Sequence, residues 1–406
     1  MEGVQTFHRL FISGKSPAIN HQIMDENSFR QTLEKVAQTS FLSGNSIQVL
    51  KDGVSAFEVV FRAIDAAERM ACLEFYIFRD DQTGWELAEL LARKRREGVR
   101  IYLIYDHFGS LSTTDRFWRF LKTAGVEIRP FHPPRLMNPN MYFHRNHRKL
   151  VVVDGRVAFT GGLNVGDEYH GFRKKKVGGW RDTGVMVQGP AAAFMLKKFL
   201  ESWKECGGAR IHDLPAGAGR NQEQDKAVLP LFSSSRKSIR SLRQLLQFSV
   251  HAAKKSVHLT MAYFIPSWKF LKVLLKAARR GVDVKIILPG QTDLRIVAYV
   301  SRTYYKTLLR EGAQIYHYQP RVLHAKTLVF DGIWNIVGSA NLDARSLNYN
   351  YECGVGILDR ELGNEMEEMF CQDLKDSTPI TEEDQSRWPL HERALGTFFS
   401  WFRSYL

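Results

Sequence analysis

Apolar positions recur every three to four residues in FEVVFRAIDAAERM (57–70), which puts Phe57, Val60, Phe61, Ile64 and Ala67 on one face of a predicted helix, with Ser55 and Glu58 as a capping box. The apolar run CLEFYIF (72–78) follows, then helical WELAELLARKRREG (85–98), strand-like VRIYLIYD (99–106), helical DRFWRFLKTAG (115–125) and strand-like VEIRPF (126–131). Strand alternating with helix predicts an α/β fold.

The same order then returns. Helical SIRSLRQLLQFSVHAAK (238–254) leads to VHLTMAYFI (257–265), helical WKFLKVLLKAARRG (268–281), VDVKIILP (282–289), helical AYVSRTYYKTLLREGA (298–313) and QIYHY (314–318). The two halves read as an internal duplication. Between them, CGGARIHDLPAGAGRNQEQDK (206–226) is Gly-rich and polar without sustained periodicity, the pattern of a linker, and places a boundary near residue 215.

Candidate chemistry is duplicated too. His147, Lys149 and Asp154 stand in HRKLVVVDG, and His324, Lys326 and Asp331 in HAKTLVFDG. One H-x-K-x4-D match is a weak signal, and a lone His-Lys pair on a strand is usually solvated surface; the repeat reverses that reading. Gly161 and Asn164 follow His147 at 14 and 17 residues, the offsets at which Gly338 and Asn341 follow His324. Side chains two apart on a strand project from one face, so each His and Lys can meet the same phosphate. Asp154-Gly155 and Asp331-Gly332 fall between β-prone runs, where Asp-Gly signals a hairpin turn, so these carboxylates carry an architectural reading beside a catalytic one. Asn164 and Asn341 then follow the returning strands, where an amide can donate to a phosphate oxygen.

On these residues the chain resembles the phospholipase D superfamily, and within it the bacterial cardiolipin synthase branch, from about residue 40 to the end. The two cassettes carry the resemblance, with GGLN (161–164), GSANLDARS (338–346) and FYIFRDDQTG (75–84). It implies two similar lobes, each a mixed β-sheet flanked by helices, related by a pseudo-twofold axis with one active site between them. The expected division is an N-terminal extension (1–39), a first lobe (40–214), a linker (215–227), a second lobe (228–379) and a C-terminal amphipathic segment (380–406). One histidine attacks phosphorus to give a phosphohistidine, and the other serves as acid and then base. His147 is assigned as nucleophile and His324 as acid/base by family habit, since nothing in the spacing distinguishes them. Lys149 and Lys326 stabilise the non-bridging oxygens, with Asn164 and Asn341 as further donors and neither a metal nor another cofactor required. Asp182 in GWRDTG and Glu352 in NYECG are the candidate carboxylate partners of the histidines. The implied reaction transfers a phosphatidyl group onto phosphatidylglycerol, the donor being phosphatidylglycerol or phosphatidylethanolamine. The alternative is a hydrolase, either a phospholipase D or a nuclease.

Charge narrows the partner. Lys plus Arg number 57 against 43 Asp plus Glu, a formal +14, so a polyanion is favoured; the branch-specific motifs select an anionic phospholipid surface over nucleic acid. Cys72, Cys206, Cys353 and Cys371 are scattered, which argues against a disulfide framework or a structural zinc site. His144 and His147 stand among Arg145, Arg148 and Lys149, whose repulsion disfavours a metal ion. No stretch is long and apolar enough to span a bilayer, whereas longer family members carry two such segments. The expected location is therefore peripheral, at the cytoplasmic face of the membrane. RKRR (93–96) reads as a helix end facing its own dipole, FRKKK (172–176) as a headgroup contact, and MNPNMYF (137–143) as core or an acyl entrance. In LGTFFSWFRSYL (395–406), Leu395, Phe398, Phe399 and Phe402 share a helical face that either packs on the second lobe or anchors to membrane.

Overall fold

The computed structural model describes residues 25–133, 144–171, 179–217 and 224–403. The stretches 137–143 and 172–176, most of the N-terminal extension, residues 218–223 of the linker and residues 404–406 lie outside that set.

The first lobe contributes seven strands: β1 (Leu42–Leu50), β2 (Met70–Phe75), β3 (Arg100–Asp106), β4 (Glu127–Phe131), β5 (Lys149–Val153), β6 (Val157–Gly161) and β7 (Gly184–Gln188). The second adds β8 (Lys226–Ser233), β9 (Ser256–Met261), β10 (Asp283–Pro289), β11 (Gln314–Tyr318), β12 (Lys326–Phe330), β13 (Trp334–Gly338), β14 (Glu352–Leu358) and β15 (Ser377–Ile380). All join one sheet in the order β15-β11-β10-β9-β12-β13-β14-β8-β1-β7-β6-β5-β2-β3-β4. Read outward from the β1–β8 seam, the second half repeats the first with every strand number raised by seven, and β15 is an added edge. β2, β3 and β4 pair in parallel, as do β9, β10 and β11, and the remaining neighbours are antiparallel. The duplication is thus a pseudo-twofold about the seam, where β1 and β8 pair antiparallel with a bulge between Leu42 and Asn45.

Three apolar layers follow. Leu73, Leu91, Ile101 and Phe117 fill the first lobe, and Leu245, Leu259, Leu274 and Trp334 the second. A third cluster crosses the seam, joining Val152, Val187 and Phe199 to Val329, Val355 and Met366. The lobes therefore share a core, which fixes their relative placement. Helix Glu26–Ala37, from the N-terminal extension, packs on the second lobe: Leu33 is fully buried there and Phe29 stacks on Phe248 at 5.6 Å.

Several boundaries move from those expected. The first helix runs Gly53–Asp65, capped by the Asp52 carboxylate accepting from Ser55 N, so Asp52 replaces the Ser55–Glu58 box. Residues 66–69 turn the chain and Met70 begins the strand. The stretch 298–313 is two helices, Arg295–Arg302 and Tyr305–Arg310. Lys226 and Ala227, assigned to the linker, already belong to β8. RKRR closes helix Gln82–Arg96, with Arg93 on Asp65 and Lys94 on Glu97 at 2.7 and 2.6 Å, as its structural reading requires. The C-terminal helix, Leu390–Ser400, seats Gly396 against the Tyr299 carbonyl, where a Cβ would overlap; Phe399 turns inward while Leu395, Phe398 and Phe402 stay exposed, so the expected face is split.

Asp154 and Asp331 stand where their architectural reading puts them: each sits at the hairpin tip, at the far end of its strand from the histidine. Asp154 and Gly155 have φ of 51° and 63°, Asp331 and Gly332 54° and 63°, the left-handed pair of a type I′ turn. The Asp154 carboxylate accepts the backbone N–H groups of Glu68, Arg69 and Met70 at 2.8 to 2.9 Å, and Asp331 does the same for Lys254, Lys255 and Ser256. These bonds tie the hairpin to the helix-to-strand turn before β2 or β9. Asp154→Ala would leave three amides unpaired and is expected to cost at least about 3 kcal/mol in urea unfolding, with turnover per folded molecule retained. Lost turnover at unchanged stability would return Asp154 to the chemistry.

Candidate active site

The end of each hairpin opposite its Asp-Gly turn lies at the seam. Lys149 and Lys326 are the first residues of β5 and β12, each preceded by its histidine, and all four side chains are buried. What positions the histidines comes from the other lobe. Asn146 bridges Tyr351 in parallel: His147 N donates to Tyr351 O at 2.9 Å and Tyr351 N to Arg145 O at 2.8 Å. Arg181 bridges Leu323 likewise, with His324 N donating to Arg181 O at 2.7 Å and Arg181 N to Val322 O at 2.8 Å.

These bridges cross the carboxylates. His147 Nδ1 lies 3.1 Å from both oxygens of Glu352, and His324 Nδ1 lies 2.6 Å from Asp182 Oδ2. Each histidine is paired in trans. With Nδ1 donating to a carboxylate, Nε2 is left as the free acceptor.

The lysines reach back along their own cassettes. Lys149 Nζ donates to His147 O at 2.8 Å, and Lys326 Nζ to His324 O. Asn164 and Asn341 sit in the same pocket wall. Asn164 Oδ1 accepts from Ile77 N at 3.1 Å and its buried Nδ2 lies against the Tyr169 phenol; among the described residues the buried Oδ1 of Asn341 has no hydrogen-bond partner. Amide orientation exchanges N for O, so each side chain can turn a donor toward an anion.

Burial dominates the electrostatics. It drives His147 down to about 4 against the opposing pull of Glu352, and it lowers His324, with Lys326 adding to the effect. Lys149 falls to about 7 and Lys326 to about 8, again chiefly by burial. Burial alone would raise Glu352, but His147, Lys149 and Ser339 together hold its carboxyl below the usual range.

Several contributors were not singled out by sequence reasoning. The Tyr76 ring packs against His147 at 5.1 Å with Lys149 Nζ 5.4 Å from its centre, and the equivalent Tyr263 lies 6.2 Å from the His324 ring. Their shared place, just past β2 and β9 in FYIF and AYFI, was the available signal. Tyr169 and Trp180 of the first lobe flank His324 at 5.3 Å each. Ser339 donates to Glu352; its counterpart is Gly162, where a Cβ would overlap the Asp182 carboxylate. Arg181 braces Asp182 by bonding Asp373 at 2.8 and 2.7 Å and the Asp182 carbonyl at 2.7 Å.

A family described as cardiolipin synthase, phospholipase D-like domain, matches residues 60–200 and 248–374, which hold both cassettes. The chain belongs to that family. It is 33% identical over 362 residues to a cardiolipin synthase of Geobacillus kaustophilus, covering 88% of this chain and 72% of that protein. It is 36% identical over 357 residues to cardiolipin synthase A of Pseudomonas fluorescens, covering 87% and 74%. The fold matches a crystal structure of phosphatidylserine synthase from Haemophilus influenzae, with TM-score 0.72 and 15% identity over 93% of this chain and all of that one.

The crossing has a spectroscopic consequence. At neutral pH, ¹⁵N shifts are expected to report His147 as the Nδ1–H tautomer, to lose that signature in Glu352→Gln and to keep it in Asp182→Asn, with the reverse for His324. A His147 signature that follows Asp182 would refute the trans pairing.

Proposed function

We propose that this phosphatidyltransferase of the cardiolipin synthase type works through a phosphohistidine on His147, with phosphatidylglycerol as acceptor. The observation that carries the reading is the pair of buried imidazoles, each held at Nδ1 from the opposite lobe, so that both Nε2 atoms are free for one phosphodiester beside two lysines.

In the first half-reaction His147 Nε2 bonds phosphorus, the bond to the leaving alcohol breaks, and His324 gives that oxygen its proton. In the second, His324 takes the proton of the incoming phosphatidylglycerol hydroxyl, the new O–P bond forms and the N–P bond breaks. Phosphodiester number is conserved. The imidazole that attacks must be neutral, and the low pKa of His147 supports that role. The lysines and asparagine amides meet the charge on the non-bridging oxygens, a role that in other enzymes falls to a metal. Bound phosphate raises the lysine pKa values again, since it places an opposite charge against them.

Incubating purified protein with phosphatidylglycerol vesicles in EDTA should yield cardiolipin and glycerol by mass spectrometry. Phosphatidic acid as sole product would make water the acceptor. With phosphate-labelled lipid, His147→Ala should trap no acid-labile adduct while His324→Ala retains some; equal trapping by His147→Ala and the parent would overturn the nucleophile assignment.

The pH profile of kcat/KM is expected to be bell-shaped. Its acid limb lies near about 4, where His147 gains a proton and loses its lone pair. Its alkaline limb reports two losses: the proton that His324 must give the leaving alcohol, which burial and Lys326 make easier to lose, and between about 7 and 8 the lysine protons that hold the anion. Lys326→Met should lower the plateau by two orders of magnitude or more, about 3 kcal/mol of transition-state stabilisation, and move the alkaline limb. An unchanged alkaline limb in both Lys149→Met and Lys326→Met would assign it to another group.

A further inference from the structure

A phosphodiester held between buried imidazoles leaves its acyl chains outside the pocket, so the surface around the mouth decides where they go. Two loops lie beside the tyrosines that neighbour the histidines, one leaving the end of β3 and the other leaving the end of β10, and they are equivalent under the pseudo-twofold. On the first lobe, Ser110 Oγ donates to the Tyr76 carbonyl at 3.2 Å, and a Cβ on Gly109 would overlap the Tyr76 ring. That ring rests on His147. Phe108 and Leu111, on this loop, are 57% and 61% exposed. On the second lobe the Tyr263 hydroxyl donates to Asp293 at 2.7 Å, and the neighbouring Leu294 and Ile296 are 48% and 42% exposed.

Isolated exposed apolar side chains need no explanation. Here two pairs occupy equivalent loops, each loop bonded to a tyrosine beside a candidate catalytic histidine. Cations follow them: Arg116 and Arg119 are exposed just after the first pair, and Arg295 stands exposed between Leu294 and Ile296. Large apolar residues interleaved with arginine suit a lipid boundary, where the apolar groups enter the acyl region and the arginines meet anionic headgroups. Among the described residues no helix is long and apolar enough to cross a membrane. The C-terminal stripe of Leu395, Phe398, Trp401 and Phe402 is also exposed, but among the described residues no hydrogen bond or ring contact ties it to either histidine.

We infer that Phe108 and Leu111 with Leu294 and Ile296 form a two-sided rim that seats the mouth of the pocket on an anionic bilayer and hands lipid directly from membrane to histidines. This inference rests on the phospholipid reading of the site. Docking on both sides at once accounts for the symmetry: a rim on one lobe alone would tilt the mouth away from the membrane plane.

The test uses the full chain and two double variants, Phe108→Ser/Leu111→Ser and Leu294→Ser/Ile296→Ser. Binding is read by flotation with vesicles of phosphatidylglycerol in phosphatidylcholine. Turnover is read on those vesicles and on dihexanoyl phosphatidylglycerol below its micelle concentration. Each double variant should lower vesicle partition about tenfold and lower the ratio of vesicle to monomer turnover by a similar factor. Persisting monomer turnover shows that the variants are folded. Partition equal to the parent's in both variants would overturn the rim, as would loss confined to Phe398→Ser/Trp401→Ser, which would assign docking to the C-terminal helix. A parent inactive on both lipid forms would instead remove the phospholipid reading beneath it.

Discussion

Each histidine is oriented by a carboxylate of the other lobe, and the rest of the pocket is arranged around that crossing. The carboxylates cannot reach across by side-chain length alone. They are carried over by backbone: segment 145–147 runs beside 350–352, and 181–182 beside 323–324, through hydrogen bonds that join peptide groups from different lobes. A small rotation of one lobe against the other would break both pairs together. The apolar cluster spanning β5 to β7 and β12 to β14 opposes such a rotation, because a close-packed interior has no space to slide into. Core packing in this protein thus bears directly on the protonation of two imidazoles.

The charge balance explains why an anion belongs there. Two lysines and two histidines share the pocket with the partner carboxylates Asp182 and Glu352, and Asp293 and Asp343 also act on Lys326. Burial lowers the affinity of these cationic groups for protons. The negative charge of a phosphodiester acts in the opposite direction. Asn164 Nδ2 can donate to such an anion directly, whereas Asn341 can do so only with its amide turned, since its buried Oδ1 is an acceptor.

Much of this was legible in the sequence, and the misses have physical reasons. The repeated order of apolar runs gave the two α/β lobes because a duplicated core must repeat its periodicity. The two H-x-K cassettes with their downstream Asn residues stood out through equal spacing. Asp182 and Glu352 were recognisable as candidates, but spacing along a chain carries no information about which lobe will hold a partner, and the crossing became visible only in the backbone bridges. Strand β1, LSGNSIQVL, mixes polar and apolar residues without alternation because it lies at the seam with sheet on both sides. Its buried Asn45 bonds the carbonyls of Leu42 and Lys226, so polarity there marks a junction between lobes and not a loop. Tyr76 and Tyr263 were hidden because an aromatic residue in an apolar run reads as core.

The duplicated halves have also diverged where the chemistry needs them to differ. In HRK the middle residue, Arg148, is buried and bonds Ser202 on one lobe and the Ser233 carbonyl on the other, while Ala325 fills its place in HAK. Glu352 receives Ser339 as well as His147, whereas opposite Ser339 the first lobe has Gly162 and Asp182 bonds only its neighbour's N–H and His324. A carboxylate whose charge is shared with a hydroxyl draws less strongly on its imidazole, which keeps that imidazole neutral. Asp182, 2.6 Å from His324 Nδ1, works against Lys326 Nζ, which stands 2.8 Å from the same nitrogen and lowers the imidazole's proton affinity further. The divergence therefore gives the two imidazoles unequal surroundings within evenly spaced cassettes.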